Sequence, residues 1–467
     1  MKNGTPPAPD FGDDGGEFKR VCYFTSDGSK PASSCRREKN TKVYMHRFTE
    51  ICLALIGAGA QAIASGNPDL YSVQDYGARD DGKTDATGAF QKALDAAAQA
   101  GGGVVYASRG NYFFAGHLKV PRAVTLKGAW ESVPSHVGLR NPGGDRPTDD
   151  GTTLLVTENE GKEDGEPFIT LNDNTTLKGV VLYYPQQNAD GEPKPYPWAI
   201  AMRGKNPAVL AVELLNPYNG IDASRNERHL IRDVQGQPLR RGIFVDAIYD
   251  IGRIEDVHFN PWWSVKPGLA HWQEDHGEAF IFGRSDWQYV YNTFCFGYHR
   301  GYKFIKTKTG MCNGNFLGIG ADDCNAAVEV EESAPFGVLI SNGEFTSFHG
   351  AEPTMVRVDA GHTGTVRFVN CAFWGPCRQI ANIDGRGTVG FSDCTFVQWD
   401  GGHEGCSAIQ AEGGALLVRG CEFKEDKAQI ELGTAVRQAA ISDNLFPGKS
   451  LITNRSKAAL SPASDHP

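Results

Sequence analysis

Residues 365–373, Thr-Val-Arg-Phe-Val-Asn-Cys-Ala-Phe, are one copy of a phrase that recurs through the C-terminal half of the chain. In each copy a short run of β-branched or apolar residues precedes an Asn, Asp or Gly, and a phenylalanine follows three residues after that position. The phenylalanines stand 23 to 28 residues apart at Phe345, Phe373, Phe396, Phe423 and Phe446. Three short strands per repeat cannot bury their own apolar face and must stack on their neighbours. The repeat therefore predicts a solenoid.

Stacked parallel coils place equivalent residues directly above one another. The four positions before the phenylalanines should therefore form a polar ladder at one bend, where Asn and Asp tolerate left-handed backbone conformations; they are Asn342, Asn370, Asp393 and Asp443. The phenylalanines should form an internal ladder beside them. Upstream, at Asp256-Val-His-Phe259 and Asn292-Thr-Phe294, the same pattern continues with less regular spacing. Longer loops are expected there, and long loops often carry function.

The segment before the repeats combines a Gly-Ala-Arg-Asp-Asp-Gly-Lys-Thr-Asp stretch ending at Asp85 with a helical pattern to about Ala100. Thr84 or Asp85 is the expected N-cap, and the apolar residues Phe90, Leu94 and Ala97 share one helix face. Glycines and a β-branched strand follow.

This block, residues 71–128, resembles the N-terminal signature of the pectate-lyase-like superfamily of right-handed, single-stranded parallel β-helix proteins. The resemblance implies an all-β solenoid over residues 67–454, closed at its open end by a short N-terminal capping helix. The superfamily includes polysaccharide lyases, glycoside hydrolases, epimerases and tailspike enzymes. It therefore implies a polysaccharide substrate more than a particular reaction.

The N-terminus carries the parts of a secretory signal peptide at residues 45–64: a short basic start at Met45, an apolar run and A-x-A steps. Residues 1–44 are interpreted as upstream sequence or a disordered leader, and residues 455–467 as a disordered tail. The alternative for the apolar run is a short buried helix of a cytosolic protein. A signal peptide predicts a secreted or periplasmic protein.

The charge and the cysteine content limit the classes of partner, metal and cofactor that are expected. Lys and Arg number 46 against 56 Asp and Glu, a net charge of −10, and there is no block of basic residues, so nucleic acid is not an expected partner. There is no C-x-x-C pair to suggest zinc, no cofactor is expected, and calcium stays open because oxygen ligands need no signature spacing. Stacked core thiols are expected at Cys371, Cys394 and Cys421. Disulfides could join Cys312 with Cys324, or Cys377 with Cys406.

The loops that lead into the first strand of each coil should line a saccharide groove, because such loops do so in the superfamily. The Asp322-Asp323-Cys324 segment, with Phe348-His349-Gly350 about one coil later, partly resembles the polygalacturonase-like hydrolases. Paired carboxylates supply the acid and the base for glycosidic cleavage. The alternative is a loop pair that caps backbone amides or binds a structural cation.

Further candidates come from the same loops. Histidines and a carboxyl with tuned pKa values are the additional catalytic candidates, namely His276, Glu278 and His299. Cations and aromatic platforms are the substrate-binding candidates, namely Arg300, Lys303, Arg241, Trp198, Trp262, Trp263 and Trp374. For each, a solvated loop residue or ordinary packing is the structural alternative.

The resulting prediction is a secreted carbohydrate-active enzyme that hydrolyses glycosidic bonds with carboxylate acid and base. Two alternatives remain: β-elimination of a uronate polymer with a His, Lys or Arg base, and a non-catalytic glycan-binding or structural solenoid. The oligomeric state, monomer or trimer, is left open. No membrane span is expected, since the apolar run is too short.

Overall fold

The computed structural model describes residues 69–135 and 150–458. The predicted leader and signal peptide, and residues 459–467 of the predicted tail, lie outside the described residues. Two α-helices are present in the described part, α1 (Thr87–Gln99) and α2 (Pro267–His276), together with a short 3-10 turn at Val73–Tyr76.

Nearly all other regular structure is short β-strand. The first twelve strands are β1 (Leu70–Ser72), β2 (Asp81–Asp85), β3 (Gly103–Tyr106), β4 (Gly110–Phe114), β5 (Leu118–Val120), β6 (Val124–Lys127), β7 (Thr152–Val156), β8 (Ile169–Leu171), β9 (Thr176–Lys178), β10 (Val181–Tyr183), β11 (Trp198–Met202) and β12 (Gly204–Lys205). The next twelve are β13 (Ala208–Leu214), β14 (Asn219–Ser224), β15 (Asn226–Glu227), β16 (Leu230–Gly236), β17 (Arg241–Asp246), β18 (Gly252–Phe259), β19 (Glu278–Phe282), β20 (Ser285–Phe296), β21 (Arg300–Phe304), β22 (Cys312–Leu317), β23 (Gly320–Asp322) and β24 (Ala326–Val330). The last twelve are β25 (Val338–Ser341), β26 (Glu344–Phe345), β27 (Thr354–Val358), β28 (Thr365–Val369), β29 (Ala372–Phe373), β30 (Gln379–Ile383), β31 (Thr388–Ser392), β32 (Thr395–Phe396), β33 (Ile409–Arg419), β34 (Glu422–Phe423), β35 (Ile430–Ser442) and β36 (Ile452–Asn454).

Apart from β12 and β15, which form a separate two-stranded sheet, each strand pairs in parallel with the equivalent strand one coil away, which produces three stacks. Sheet 1 contains β5, β8, β11, β14, β17, β19, β21, β24, β27, β30, the first parts of β33 and β35, and β36. Sheet 2 contains β1, β3, β6, β9, the first parts of β13, β16, β18 and β20, then β22, β25, β28, β31 and the last parts of β33 and β35. Sheet 3 contains β2, β4, β7, β10, the last parts of β13, β16, β18 and β20, then β23, β26, β29, β32 and β34. The predicted right-handed parallel β-helix is confirmed.

The two predicted ladders hold the C-terminal coils in register. Asn342, Asn370, Asp393 and Asp443 all have φ between 51° and 58°, and they stand at the bend between sheet 2 and sheet 3. The Asn370 side-chain amide donates to Asn342 Oδ1 at 2.7 Å, which links adjacent coils. Inside this bend the repeat phenylalanines stack, with ring centroids 4.8–5.5 Å apart from Phe345 to Phe446. Short-range sequence signals thus determine both the bend and the core.

The cysteines contribute to the core as thiols. Cys371, Cys394 and Cys421 are buried in the same stack, as predicted. All eight cysteines from Cys295 to Cys421 are free thiols in this structure, so neither suggested disulfide is formed. Cys324, in the turn after β23, instead packs beside Cys295 of β20 in the preceding coil.

Helix α1 covers the N-terminal end of the coils, as expected. Its buried face consists of Phe90, Ala93, Leu94 and Ala97. The predicted N-cap is wrong by one or two residues, because Ala86 occupies that position. The Asp85 carboxylate still accepts the Thr87 backbone N–H at 3.0 Å, so it satisfies one of the free amides of the first turn.

Helix α2 was not predicted from the sequence. Pro267 stands at its start, where a missing N–H costs nothing and the fixed φ suits a helix. The helix lies in a long loop between sheet 3 and sheet 1, and its buried residues are Leu269 and Gln273. It delivers a carboxylate, Glu274, to the bend where sheet 1 begins.

Candidate active site

Three ionisable side chains meet at the bend between sheet 3 and sheet 1: Glu274, Asp323 and His349. We call them the acid/base cluster. The Nδ1 atom of His349 lies 3.1 Å from Asp323 Oδ1, and its Nε2 atom contacts Glu274 Oε1. Their side chains are only 15–26% exposed. Two of the three, Asp323 and His349, are predicted site residues that the fold brings together.

Glu274 is held by the end of α2. Gln273, the residue before it, is buried and accepts a hydrogen bond from the side-chain amide of Gln237 at 3.1 Å. The Gln273 carbonyl also accepts the backbone N–H groups of Gly277 and His299. The C-terminal turn of the helix is therefore tied to two neighbouring coils, and Glu274 has a defined position.

Asp322 and Asp323 point to different places, although they are adjacent in sequence. Asp323 has φ of 53°, so the chain turns there and its carboxylate faces the acid/base cluster. The Asp322 carboxylate, at the end of β23, accepts the hydroxyl of Thr346. The Thr346 hydroxyl in turn accepts the Asp323 backbone N–H at 2.9 Å. These bonds fix the turn, in which the two carboxylates have different partners.

The loop of His349 is fixed by Asn325, whose amide donates to the His349 carbonyl at 3.0 Å. Gly350 follows with φ of +84°, and a Cβ there would lie 2.0 Å from Asn325 Nδ2. Only glycine suits this position, since it needs both the left-handed backbone and the close approach. The His-Gly part of the motif thus has a structural cause.

The acid/base cluster has the electrostatics of a proton donor. Burial raises the pKa of Asp323; His349 opposes the rise, while Glu274 and Asp322 add to it. An imidazole with a carboxylate at each nitrogen needs a proton on both sides. The contact between His349 and Asp323 therefore contains a proton that the two groups share. A carboxyl with a raised pKa is suited to act as a general acid.

Glu278, at the first position of β19, has the opposite surroundings. Burial favours its protonated form, but Lys303, Arg240 and Arg241 outweigh burial and lower the pKa of its carboxyl. The Lys303 ammonium lies 3.0 Å from Glu278 Oε1, and the Arg240 guanidinium lies 3.3 Å from Oε2. Glu278 therefore stays ionised, as a general base requires.

The predicted cationic groups are paired with carboxylates. Lys303 also contacts Glu331 at 3.2 Å. Arg241 contacts Glu163 at 3.2 Å, and Arg300 contacts Glu329 and the side-chain oxygen of Asn325. Sheet 1 thus presents alternating charges rather than a positive strip.

The remaining predicted histidines lie beside the acid/base cluster. His299 Nδ1 donates to the Glu274 carbonyl at 3.2 Å, and burial, reinforced by Arg300, lowers the pKa of its ring to about 4. The ring is therefore neutral at neutral pH. His276 stacks on Trp272 with centroids 4.8 Å apart and is bonded to that residue's carbonyl at the end of α2. These contacts hold the His276 ring at the C-terminal end of α2.

The tryptophans divide into three groups. Trp262 and Trp263 are 7% and 3% exposed and pack with Leu269 under α2, so their prediction as sugar platforms is wrong. Trp198 stacks on Phe244 with Arg241 over its ring, on sheet 1. Trp374 is 39% exposed. A loop that folds onto itself buries its aromatic residues, which sequence alone does not reveal.

Sequence reasoning missed Glu274 as a site residue, although it selected His276 and Glu278 from the same charged stretch. The available signal was the Pro267 start of a helix whose last turn ends beside that stretch. Its contact with His349, 75 residues later, depends on the long-range fold.

The acid/base cluster is also the one group of the described residues whose ligand atoms, all within 4.8 Å of one another, could hold a metal ion. Both nitrogens of His349 already face carboxylates, an arrangement that suits proton sharing.

Among the described residues no helix is long and apolar enough to cross a membrane.

Comparisons with known proteins agree with the fold. A family model described as rhamnogalacturonase A/epimerase, pectate lyase-like, matches residues 70–191. Alginate lyase 7 of Azotobacter vinelandii is 56% identical over 46 residues, which are 10% of this chain and 5% of that protein. The chain thus matches only a small part of this relative.

Solved structures extend the similarity over most of the chain. The tailspike protein of Escherichia coli bacteriophage HK620, solved with a pentasaccharide, covers 85% of this chain and 75% of its own at 11% identity, with a TM-score of 0.54. The catalytic unit of a GH87 α-1,3-glucanase from Streptomyces thermodiastaticus covers 86% and 70% at 14% identity, with a TM-score of 0.47. At these identities the structural likeness concerns the fold alone.

Proposed function

We propose that this protein, a parallel β-helix of the pectate-lyase-like superfamily, is an exported enzyme that hydrolyses glycosidic bonds of a polysaccharide. The observation that carries the proposal is the position of the acid/base cluster beside Glu278, at the entrance of sheet 1. The carboxyl of Asp323 has a raised pKa, and the carboxyl of Glu278 has a lowered pKa. Such a divergence assigns the acid and the base.

In the proposed mechanism Asp323 donates its proton to the leaving glycosidic oxygen. His349 orients the donor and relays charge between it and Glu274. Glu278 accepts a proton from the attacking water, and its ion pairs keep it ionised until then. His349 and Glu274 are positioning residues in this scheme.

The strand register separates Glu278 from the turn of Asp323 by about two coils. Glu278 is paired with Arg300, and Arg300 with Ala326, the strand residue that follows the turn of Asp323. Two strand spacings correspond to about 9.6 Å between the backbones, close to the upper end of the carboxyl separation in inverting glycosidases. Inverting glycosidases separate their carboxylates by about 6.5–9.5 Å, which leaves room for the water. By contrast, Glu274 and Asp323 approach within 4.8 Å, too close for a water and a sugar between them.

A second candidate is β-elimination of a uronate polymer. The short match to an alginate lyase favours it. Elimination requires a cation that neutralises the uronate carboxylate, and Arg241, Arg300 and Lys303 are already paired with glutamates. The pairing favours hydrolysis. A non-catalytic glycan-binding solenoid would leave the acid/base cluster without a use.

The test is turnover on a panel of neutral and uronic polysaccharides. Substituting Asp323→Asn should lower turnover by at least ~10²-fold, the usual effect of losing a general acid. The control is Asp384→Asn, since Asp384 is another carboxyl whose pKa is raised by burial but lies after β30, at the opposite end of the sheet 1 strands. Hydrolysis yields reducing ends without the ultraviolet absorbance of an unsaturated uronate. Such absorbance would identify a lyase, and wild-type turnover in Asp323→Asn would refute the assignment of the acid.

A further inference from the structure

We infer that a notch on the outer surface of sheet 3 binds an uncharged sugar unit of the glycan. The notch lies next to the acid/base cluster. The inference rests on the proposed function in taking the ligand to be a glycan, and it goes beyond it by naming a binding site and the class of sugar.

The notch exists because Gly320 has no side chain where its neighbours have large ones. In the sheet 3 register, Gly320 lies between Phe294 of one coil and Glu344 of the next. A Cβ at Gly320 would already lie 2.9 Å from the Phe294 ring. The cavity measures about 300 Å³, and small-molecule sites begin at about that size.

The walls of the notch provide the two kinds of contact that a sugar ring uses. Trp374 and Phe294 supply aromatic surface for the apolar face of a pyranose. Asp322 and Glu344 supply acceptors for its hydroxyl groups. The Trp374 indole N–H donates to Glu344 Oε1 at 2.9 Å, and the Thr346 hydroxyl donates to Asp322. Each carboxylate is thereby oriented and retains further lone pairs for a ligand.

The charge of the notch selects against acidic sugars. Its twelve lining residues include two carboxylates, Asp322 and Glu344, and no Lys, Arg or His. A uronate would bring a third negative charge into a partly desolvated space with no cation to balance it. An uncharged sugar meets no such penalty. The notch therefore opposes a uronate, the sugar that the lyase alternative requires.

The position of the notch connects it with the chemistry. Asp322 lines the notch, and Asp323, the next residue, belongs to the acid/base cluster. Thr346 bonds to both, through the Asp322 carboxylate and the Asp323 backbone N–H. A sugar held in the notch would thus lie one residue from the proposed proton donor.

The experiment measures binding of defined hexasaccharides by calorimetry, with neutral glucans and mannans on one side and galacturonate and mannuronate on the other. The Asp323→Asn protein is used so that ligands are not consumed. Neutral hexasaccharides should bind, and adding Trp374→Ala or Glu344→Gln should weaken their binding at least about tenfold. Two matched controls should leave binding unchanged: Trp287→Ala, an exposed tryptophan on sheet 2, and Glu422→Gln, a glutamate in the same sheet 3 column three coils away.

Three outcomes would overturn the inference. Absence of binding by every neutral hexasaccharide, tighter binding of the uronates, or unchanged affinity in both notch variants would each do so. Failure of the proposed function is a separate result, because it is read from wild-type and Asp323→Asn turnover. A protein that binds neutral glycans through the notch without cleaving them would retain this inference and lose the enzymatic one.

Discussion

The ionisation of Asp323 depends on a neighbour, Glu274, whose negative charge adds to the effect of burial on the Asp323 pKa. We expect a bell-shaped dependence of kcat/KM on pH. Activity should fall at low pH as Glu278 is protonated, below the usual glutamate range. It should fall again at higher pH as Asp323 loses its proton, at a pH above the ordinary pKa of an aspartate.

This dependence gives a prediction for Glu274→Gln. Removing the charge of Glu274 should lower the Asp323 pKa, so the alkaline limb of the pH profile should move to lower pH. The acidic limb, set by Glu278, should stay in place. The measurement is kcat/KM across pH for both proteins. An equal loss of activity at every pH, with both limbs unmoved, would show that Glu274 only supports the local structure.

The sequence identified part of this site, for physical reasons that differ among its residues. Asp323 and His349 were predicted because the short Asp-Asp-Cys and Phe-His-Gly segments that contain them resemble a known family of hydrolases. Trp262 and Trp263 were misassigned because α2 folds over them, and Glu274 was missed because the same helix carries it. In each case the missing information was a contact between distant parts of the chain.

At the scale of the element, the repeat phrase determines the coil almost entirely from local sequence. The left-handed residue at Asn370 turns the chain, and Phe373 fills the interior behind it. Such a signal repeats in every coil, which explains why the fold was predictable. Helix α2 occurs once, in a loop, and its buried Gln273 finds its partner Gln237 across neighbouring coils. No repeated sequence pattern therefore predicts this helix.

The phenylalanine ladder gives a prediction about stability. Phe373 is fully buried, and its ring lies 5.3 Å from that of Phe345 and 5.5 Å from that of Phe396. Replacing it with alanine should lower the free energy of unfolding by roughly 3 to 5 kcal/mol. The control is Phe336→Ala, whose ring is 71% exposed. Denaturant unfolding measures both, and equal small effects would mean that the ladder does not carry stability.

At the scale of the molecule, each coil contacts the coils directly before and after it through parallel pairing. Stability should then be close to a sum of coil terms and nearest-neighbour interfaces. Function is confined to fewer coils, because the acid/base cluster, Glu278 and the notch all lie between residues 274 and 374. The coils beyond them should support the solenoid without taking part in the reaction.

This separation predicts the result of removing one whole coil. Thr388 and Ala415 are register partners in sheet 2, so deleting residues 388–414 joins Gly387 to a residue that already has the position of Thr388. In sheet 3 the deletion stacks Phe373 on Phe423, which keeps the ladder continuous. The shortened protein should keep its β circular dichroism, unfold within a few degrees of the full chain, and retain turnover.

The contrasting deletion of residues 285–311 also joins register partners, since Ser285 pairs with Cys312, but it removes the coil between Glu278 and Asp323 and should abolish turnover. Loss of folding in the first variant would contradict nearest-neighbour stability, and loss of turnover with folding intact would extend the site beyond residue 387.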